Sequence, residues 1–275
     1  MFYKKYTRTL NPIKQQFFYY FFKDTKNISK NSWVADIASY NGMNADIFKY
    51  HNYVAVDKDL EILKKIINQK YIVRADILHL PFLLGSFDAV VSTNTLCNLK
   101  FSERPQALEE LGRLVKSGGY FIFTIPLWDS GGEKVRFEEI FKQISNIMKD
   151  SFEIKRIVVY GGLFSQFYNS VITKWFKKRE KRSLFLSRLY MFLTLMVSSF
   201  ELFFGFSKFS SISAYLCLRK KNDQTASGHS FDDFFSRLAC PVDKSDLIKL
   251  ASGKFKCKFC EREFVEQEGI INLLI

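Results

Sequence analysis

The 275-residue chain lacks any run of eighteen uncharged apolar residues, so a plain membrane-spanning helix is not expected. No secretory leader is expected from its first residues, and cysteine is scarce, at five. Both argue against a disulfide-stapled scaffold and for a reducing compartment. Histidine is scarcer still, at three; His51 and His79 sit beside apolar runs and read as structural. Apolar and aromatic residues are plentiful, at 47% and 17%, with 30 Phe. That is no disordered composition, and it suffices for one large core, or one domain with a small satellite.

Acidic residues are missing from two segments, and the net charge of +13 is concentrated there. Residues 1–30 carry seven basic residues against Asp24 alone, and residues 163–221 carry eleven against Glu180 and Glu201. Residues 31–162 carry sixteen of each sign and are neutral.

That neutral body alternates short apolar runs with amphipathic stretches. Strands are expected at Ser32–Ile37, Tyr53–Asp57, Tyr71–Val73, Phe87–Ser92, Tyr120–Pro126 and Phe152–Tyr160. Helices are expected at Leu60–Ile67, at Pro105–Leu114 closed by Ser117-Gly118-Gly119, and at Phe137–Met148. Strands separated by helices imply a mostly parallel, doubly wound α/β sheet. Ligands bind such sheets where the strands end. Asp36 and Asp57 end the first two strands, Asp76 follows the third, and Asn94 and Thr95 follow the fourth.

With these residues in place, the chain resembles the class I S-adenosylmethionine-dependent methyltransferases of the ubiquinone/menaquinone-biosynthesis type. The resemblance runs through Val34-Ala35-Asp36-Ile37-Ala38-Ser39-Tyr40-Asn41-Gly42, Val54–Asp57, Ala75–Phe82, Ser86–Val91 and Ala107–Gly119. It implies a Rossmann-like seven-stranded methyltransferase sheet and S-adenosylmethionine as cofactor. The turn Asp36, Ala38, Ser39, Tyr40, Gly42 should pass under the methionine part, with Asp36 as its anchor. Asp57, followed by Lys58, should accept the ribose hydroxyls. Asp76 and Ile77 should meet the adenine edge, and Asn94 should border the sulfonium. The family's turn is glycine-rich, whereas Ala38 and Tyr40 hold two of its glycine positions here. Leu96-Cys97-Asn98-Leu99 lacks a histidine that some relatives carry, so no general base is named.

Residues 163–212 interrupt the fold's last hairpin, before a seventh strand at Ser213–Leu218. They combine Trp175-Phe176-Lys177-Lys178-Arg179-Glu180-Lys181-Arg182 with the apolar run Leu184–Phe206. A basic cluster beside an apolar, aromatic face is the pattern of interfacial helices on anionic membranes. The arm 1–30 repeats it in Phe17-Phe18-Tyr19-Tyr20-Phe21-Phe22. A helical cap with a solvated basic rim is the plainer alternative. Nucleic acid is a weaker fit, because Leu184–Phe206 is too apolar for an RNA groove.

After a linker at 222–236, Cys240-Pro241-Val242-Asp243 and Cys257-Lys258-Phe259-Cys260 face each other across a spacer. So small a module needs a staple, and paired knuckles are a tetrahedral zinc pattern, here Cys240, Asp243, Cys257 and Cys260. The tail, with its Gly-Ile-x-x-Leu-Leu ending, resembles the zinc-ribbon family that partners tRNA and translation-factor methyltransferases. A metal-free β-ribbon is the alternative. Cys97 and Cys217 read as ordinary buried thiols.

The expectation is therefore an α/β methyltransferase domain at 31–221, an N-terminal arm, an inserted helical region and a ribbon module at 237–275. It is expected in the cytoplasm, peripheral on the inner membrane face, and to methylate a small amphiphilic or membrane-associated acceptor such as a lipid-linked glycan or quinone precursor. A tRNA or rRNA methyltransferase and a catalytically inactive binding module are the alternatives.

Overall fold

The computed structural model describes residues 12–66, 69–127, 137–172, 189, 192–194, 196–197, 199–200, 212–222, 233–250 and 253–275. Within them one sheet of eleven strands runs in the order β6-β7-β5-β4-β1-β2-β3-β11-β10-β9-β8. Its centre is parallel: β1 (Trp33–Ile37), β2 (Asn52–Asp57), β3 (Tyr71–Arg74), β4 (Phe87–Ser92) and β5 (Val115–Pro126). The antiparallel hairpin of β6 (Phe152–Tyr160) and β7 (Ser213–Lys220) joins through β7 to β5. Because β7 opposes both neighbours, β6 runs in the same direction as β5. The C-terminal end of β6 therefore lies at the same edge as those of β1, β2 and β4.

Alternation along the strands feeds two apolar layers, one on each face of the sheet. Phe87 and Val90 face one layer, Ala89 and Val91 the other. The first layer is closed by α3 (Arg104–Leu114), α4 (Phe137–Met148) and residues of the C-terminal module. In α4, Ile140, Ile144 and Met148 recur at four-residue spacing and are buried. The second layer is closed by α1 (Pro12–Thr25), whose Phe17 and Phe21 are buried one turn apart.

That packing corrects the lipid-facing reading for residues 12–25. Phe17 and Phe21 of the aromatic run form the inner face of a helix, Tyr19 stays exposed, and the helix is tied down by a part-buried ion pair. Asp24 accepts hydrogen bonds from Arg156 Nε at 2.9 Å and from the Tyr215 hydroxyl at 2.9 Å. Gln16 binds the Gly161 N–H and Ser165 Oγ, fixing α1 to the start of the insert. Residues 1–11 lie outside the described residues.

Two helix boundaries also differ from expectation. Only one turn, α2 (Leu60–Leu63), is helical after β2, capped by the Asp59 carboxylate. Helix α3 ends at Leu114 because Val115 is already extended, at φ −72° and ψ 127°. Ser117-Gly118-Gly119 consequently lies inside β5, beside a register shift against β4, and not at a helix stop.

The insert leaves β6 through α5 (Leu163–Phe167) and a π-turn at Tyr168–Ile172. The cluster Trp175–Arg182 and most of Leu184–Phe206 lie outside the described residues, as do 223–232 of the linker. No helix among the described residues is long and apolar enough to cross a membrane.

The C-terminal strands β8 (Leu247–Lys249), β9 (Lys254–Cys257), β10 (Glu263–Gln267) and β11 (Ile270–Asn272) continue the main sheet. β11 pairs in parallel with β3, placing Ile270, Ile271 and Asn272 opposite Ile72, Val73 and Arg74. The module thus covers an edge that would otherwise be a strand-pairing liability. An aromatic joint seals the contact: Phe234 stacks on Trp33 and tilts against Tyr71, while Arg237 lies 4.3 Å over the Trp33 ring.

Candidate functional site

The strand order reverses between β1 and β4, and the crevice opens at the carboxyl ends of the strands there. Two adjoining hollows occupy it, of about 350 and about 490 Å³. They share Ala38, Asp57, Thr95 and Asn98. The first is walled by Ile37, Ala75, Ile77, Leu78 and Leu99, with Lys58, Asp76 and Glu103 as its polar groups. The second is walled by Ser39, Tyr40, Met43, Asn44, Ile62, Thr93 and Asn94.

All the expected cofactor residues line this crevice except Asp36 and Gly42. Asp36 lies behind the turn, 1% exposed, where the Tyr53 hydroxyl donates to it at 2.6 Å and Asn44 Nδ2 at 3.2 Å. Burial raises its carboxyl to about 7 against these two hydrogen bonds. Asp36 therefore anchors the turn from beneath. Gly42 closes it, its N–H bonded to the Ser39 carbonyl.

The turn's backbone shows why glycine suits it. Ala38, Tyr40 and Gly42 have φ of 56°, 53° and 72°, all left-handed. For a residue with a Cβ this conformation is strained by about 1 kcal/mol. Asp57 offsets part of that cost. Its carboxylate accepts the Tyr40 N–H at 2.9 Å and the Asp59 N–H at 3.0 Å, tying the turn to β2. A carboxylate has about four acceptor positions, so two remain. Tyr40 does not fill the crevice: its residue is 52% exposed and the hollow beside it stays open.

On the first hollow, Asp76 accepts the Leu78 N–H at 3.0 Å and the Lys58 ammonium at 2.8 Å. Burial pushes the Asp76 carboxyl up, but these partners outweigh it and hold it below its usual range. On the second, Asn94 is left-handed at φ 57°, and its N–H donates to Thr124 Oγ1 at 2.7 Å. Thr124 and Ser213 in turn hydrogen-bond the buried Tyr160 hydroxyl, which burial raises to about 12. Neither His51 nor His79 lines either hollow. Thr95, expected after the fourth strand, lines both hollows; sequence reasoning missed Asn44, Asn98 and Glu103, whose position between β1 and β2 and between β4 and α3 was the available signal.

The crevice suits S-adenosylmethionine. The apolar walls of the first hollow, with Asp76 among the carboxylates at their rim, match an adenine, and the free acceptor positions of Asp57 match a vicinal diol. Ser39 lines the second hollow, and its buried Oγ has no hydrogen-bond partner among the described residues.

At the far side of β3 the expected metal donors Cys240, Asp243, Cys257 and Cys260 converge, with all four donor atoms within 4.8 Å of one another. Cys240 Sγ lies 3.6 Å from Cys260 Sγ, and Cys257 Sγ 3.5 Å from both Asp243 oxygens. The two knuckles repeat one geometry. The N–H groups of Phe259 and Cys260 bond Cys257 Sγ, and those of Val242 and Asp243 bond Cys240. The residues after each knuckle, Lys244 and Glu261, are both left-handed, at φ 61° and 58°. Asp243 thus stands where the second knuckle has Cys260. Cys217 is buried as expected, whereas Cys97 is half-buried, its Sγ donating to the Asn94 carbonyl at 3.0 Å.

Residues 35–123 match the family model described as "Methyltransferase domain". An uncharacterized protein of Methanocaldococcus jannaschii is 33% identical over 133 residues, 46% of this chain and 47% of that protein. A second from the same organism is 31% identical over 132 residues, 48% of this chain and 55% of that protein. The chain spans about half the length of these relatives. Among solved structures, the [4+2]-cyclase SpnF superposes with a TM-score of 0.51 at 15% identity, covering 76% of this chain and 81% of that one. That likeness bears on the fold alone.

Proposed function

We propose that this protein, whose residues 35–123 form a class I S-adenosylmethionine-dependent methyltransferase domain, transfers a methyl group to a small amphiphilic acceptor at a membrane surface. When bound, the cofactor supplies a methyl group on a sulfonium that leaves by in-line displacement. The chain's own part is to bind and orient. Asp57 holds the ribose side, Asp76 and Ile77 the adenine side, and Ser39 with Asn44 the amino-acid side. The titratable side chains lining the second hollow are Tyr40 and Asp57, and Asp57 is committed to the turn. An acceptor that arrives already nucleophilic fits such a wall better than one needing a base.

The observation that carries the acceptor class is the position of an exposed apolar crest. Leu163 and Phe167 are 63% and 61% exposed, and Phe164 and Val171 are also exposed. They follow the C-terminal end of β6, at the same edge of the sheet as the crevice. The basic excess of 163–221 accompanies them, and an anionic leaflet would attract it by about 1 kcal/mol per charge. Sedimentation with vesicles tests this reading. The protein should pellet with phosphatidylglycerol-containing vesicles at low salt and not with neutral ones. Equal indifference to both would overturn the membrane-side acceptor. Calorimetric titration with S-adenosylmethionine tests the cofactor independently.

The converging donors support zinc as the module's staple. Zn–S of about 2.3 Å and Zn–O of about 2.0 Å give tetrahedral edges of about 3.8 Å between sulfurs and about 3.5 Å between sulfur and oxygen. The distances of 3.6 and 3.5 Å fit those edges. Zinc uptake at one equivalent, lost in a Cys257→Ser, Cys260→Ser variant, is the expected result.

A further inference from the structure

We infer that Lys244 is a positioning residue that couples the metal knuckle to the adenine-side wall of the cofactor crevice. The inference rests on the cofactor and zinc readings above, and it adds a link between two sites that no shared residue connects.

The wall is the segment from Asp76 to Leu83. Its first part faces the hollow through Asp76, Ile77 and Leu78. Its second part is held from behind, and nearly every hold comes from α3 or from the C-terminal module. The Leu80 N–H donates to Glu110 Oε2 at 2.8 Å, and the Leu80 carbonyl accepts Arg113 Nη2 at 2.6 Å and Lys244 Nζ at 3.1 Å. Arg113 also reaches the Phe82 carbonyl, and Gln106 the Leu78 carbonyl. The module contributes the Ala239 N–H to the Pro81 carbonyl and the Arg237 carbonyl to the Leu83 N–H.

Two of these holds begin beside a metal donor: the backbone N–H of Ala239, which precedes Cys240, and the side chain of Lys244, the one of the two that a substitution can remove. Lys244 follows Asp243, and its own N–H bonds the Cys240 carbonyl at 3.0 Å. Its side chain bends back so that Nζ meets Pro241 O at 3.3 Å, inside the knuckle, as well as Leu80 O and Glu110 Oε2 at 3.0 Å. One ammonium therefore bridges the knuckle, α3 and the wall. Its left-handed backbone, at φ 61°, is set by the knuckle. An ion that fixes Cys240 and Asp243 thereby fixes the origin of the Lys244 side chain. A wall so fixed loses less freedom when adenine enters, which is a coupling free energy shared by the two sites.

The test uses the full chain as wild type, Lys244→Met and Lys244→Arg. Cobalt(II) replaces zinc, so thiolate-to-cobalt absorption reports the knuckle directly. Calorimetry with S-adenosylhomocysteine reports the crevice. All three proteins should show the same cobalt spectrum. Lys244→Met should bind the nucleoside ligand about tenfold more weakly, within the usual range of coupling between sites. Lys244→Arg should recover part of that loss. Chelation should weaken wild-type binding by a similar factor and leave Lys244→Met unchanged, a pattern that a merely structural lysine would not give. Equal affinity of wild type and Lys244→Met, with the cobalt spectrum retained, overturns the proposal. Equal sensitivity of both to chelation overturns the coupling. No cobalt uptake by the wild type refutes the zinc reading, and the affinity of Lys244→Met then decides the positioning role alone. No binding of the nucleoside by the wild type refutes the cofactor reading and this inference with it.

Discussion

The two hollows of the crevice are held in opposite ways. The methionine side is fastened locally: Asp36, Tyr53 and Asn44 lie within eighteen residues of one another and meet in a buried cluster under the turn. The adenine side is fastened remotely, through Arg113 on α3 and Lys244 in a module at the far end of the chain. The local clamp is dry and short-ranged, and desolvation governs it. The remote clamp is made of ion pairs and hydrogen bonds among part-buried groups, with Arg113, Glu110 and Lys244 side chains 20%, 15% and 32% exposed. Rigidity in the first therefore depends on one carboxyl, and in the second on whether another folded unit is in place.

Asp57 belongs to both hollows, and its removal should erase the distinction. Asp57→Ala deletes the acceptor for the Tyr40 and Asp59 N–H groups and for the ribose. Charge-assisted hydrogen bonds contribute roughly 1.5–3 kcal/mol each, so affinity for S-adenosylhomocysteine should fall about 100-fold or more. Calorimetry reads this directly. A loss below about fivefold would mean that the turn holds its shape and its ligand without β2.

Asp36→Asn isolates the local clamp. Asp36 has an ordinary value of 3.8 raised to about 7, chiefly by burial. Between those values the folded protein binds a proton that the unfolded chain has released, so stability falls as pH rises through the window. The contribution is full below about pH 4 and lost by about pH 7. Between pH 5 and 7 the wild type should lose about 2 kcal/mol relative to Asp36→Asn. Urea unfolding at both pH values checks it. Parallel pH dependence of the two proteins would place the titration elsewhere.

The same division governs what the sequence disclosed. The central strands were legible because strands buried on both faces read as unbroken apolar runs, as in Ala89-Val90-Val91. Asp36, Asp57 and Asp76 were legible because strand ends are where such sheets bind. The partners of Asp36 were not, since Tyr53 reaches it across a strand pair and no periodic pattern announces that. β11 on β3 escaped notice because three residues carry no repeat. In helix α1 the basic charge and aromatic content point outward to a surface, whereas the four-residue spacing of Phe17 and Phe21 marks the face that is buried.

The smallest expected effect concerns the backbone of the local clamp itself. Tyr40 holds φ 53° with a Cβ, and its residue is 52% exposed. Tyr40→Gly removes the left-handed strain but gives the unfolded chain more freedom, so the two terms nearly oppose. Strain should win by about 0.5 kcal/mol, raising Tm by about 1–2 °C in a chain of this size. Cofactor affinity should hold within about twofold, because the Tyr40 N–H to Asp57 is a backbone contact that glycine keeps. Differential scanning calorimetry with and without S-adenosylhomocysteine separates the two readings of this residue. A rise in Tm with unchanged affinity makes the tyrosine incidental to the cofactor and leaves its ring facing the acceptor side. A sharp loss of affinity would make the ring itself part of the cofactor's wall, and the methionine side would then depend on more than its buried carboxyl.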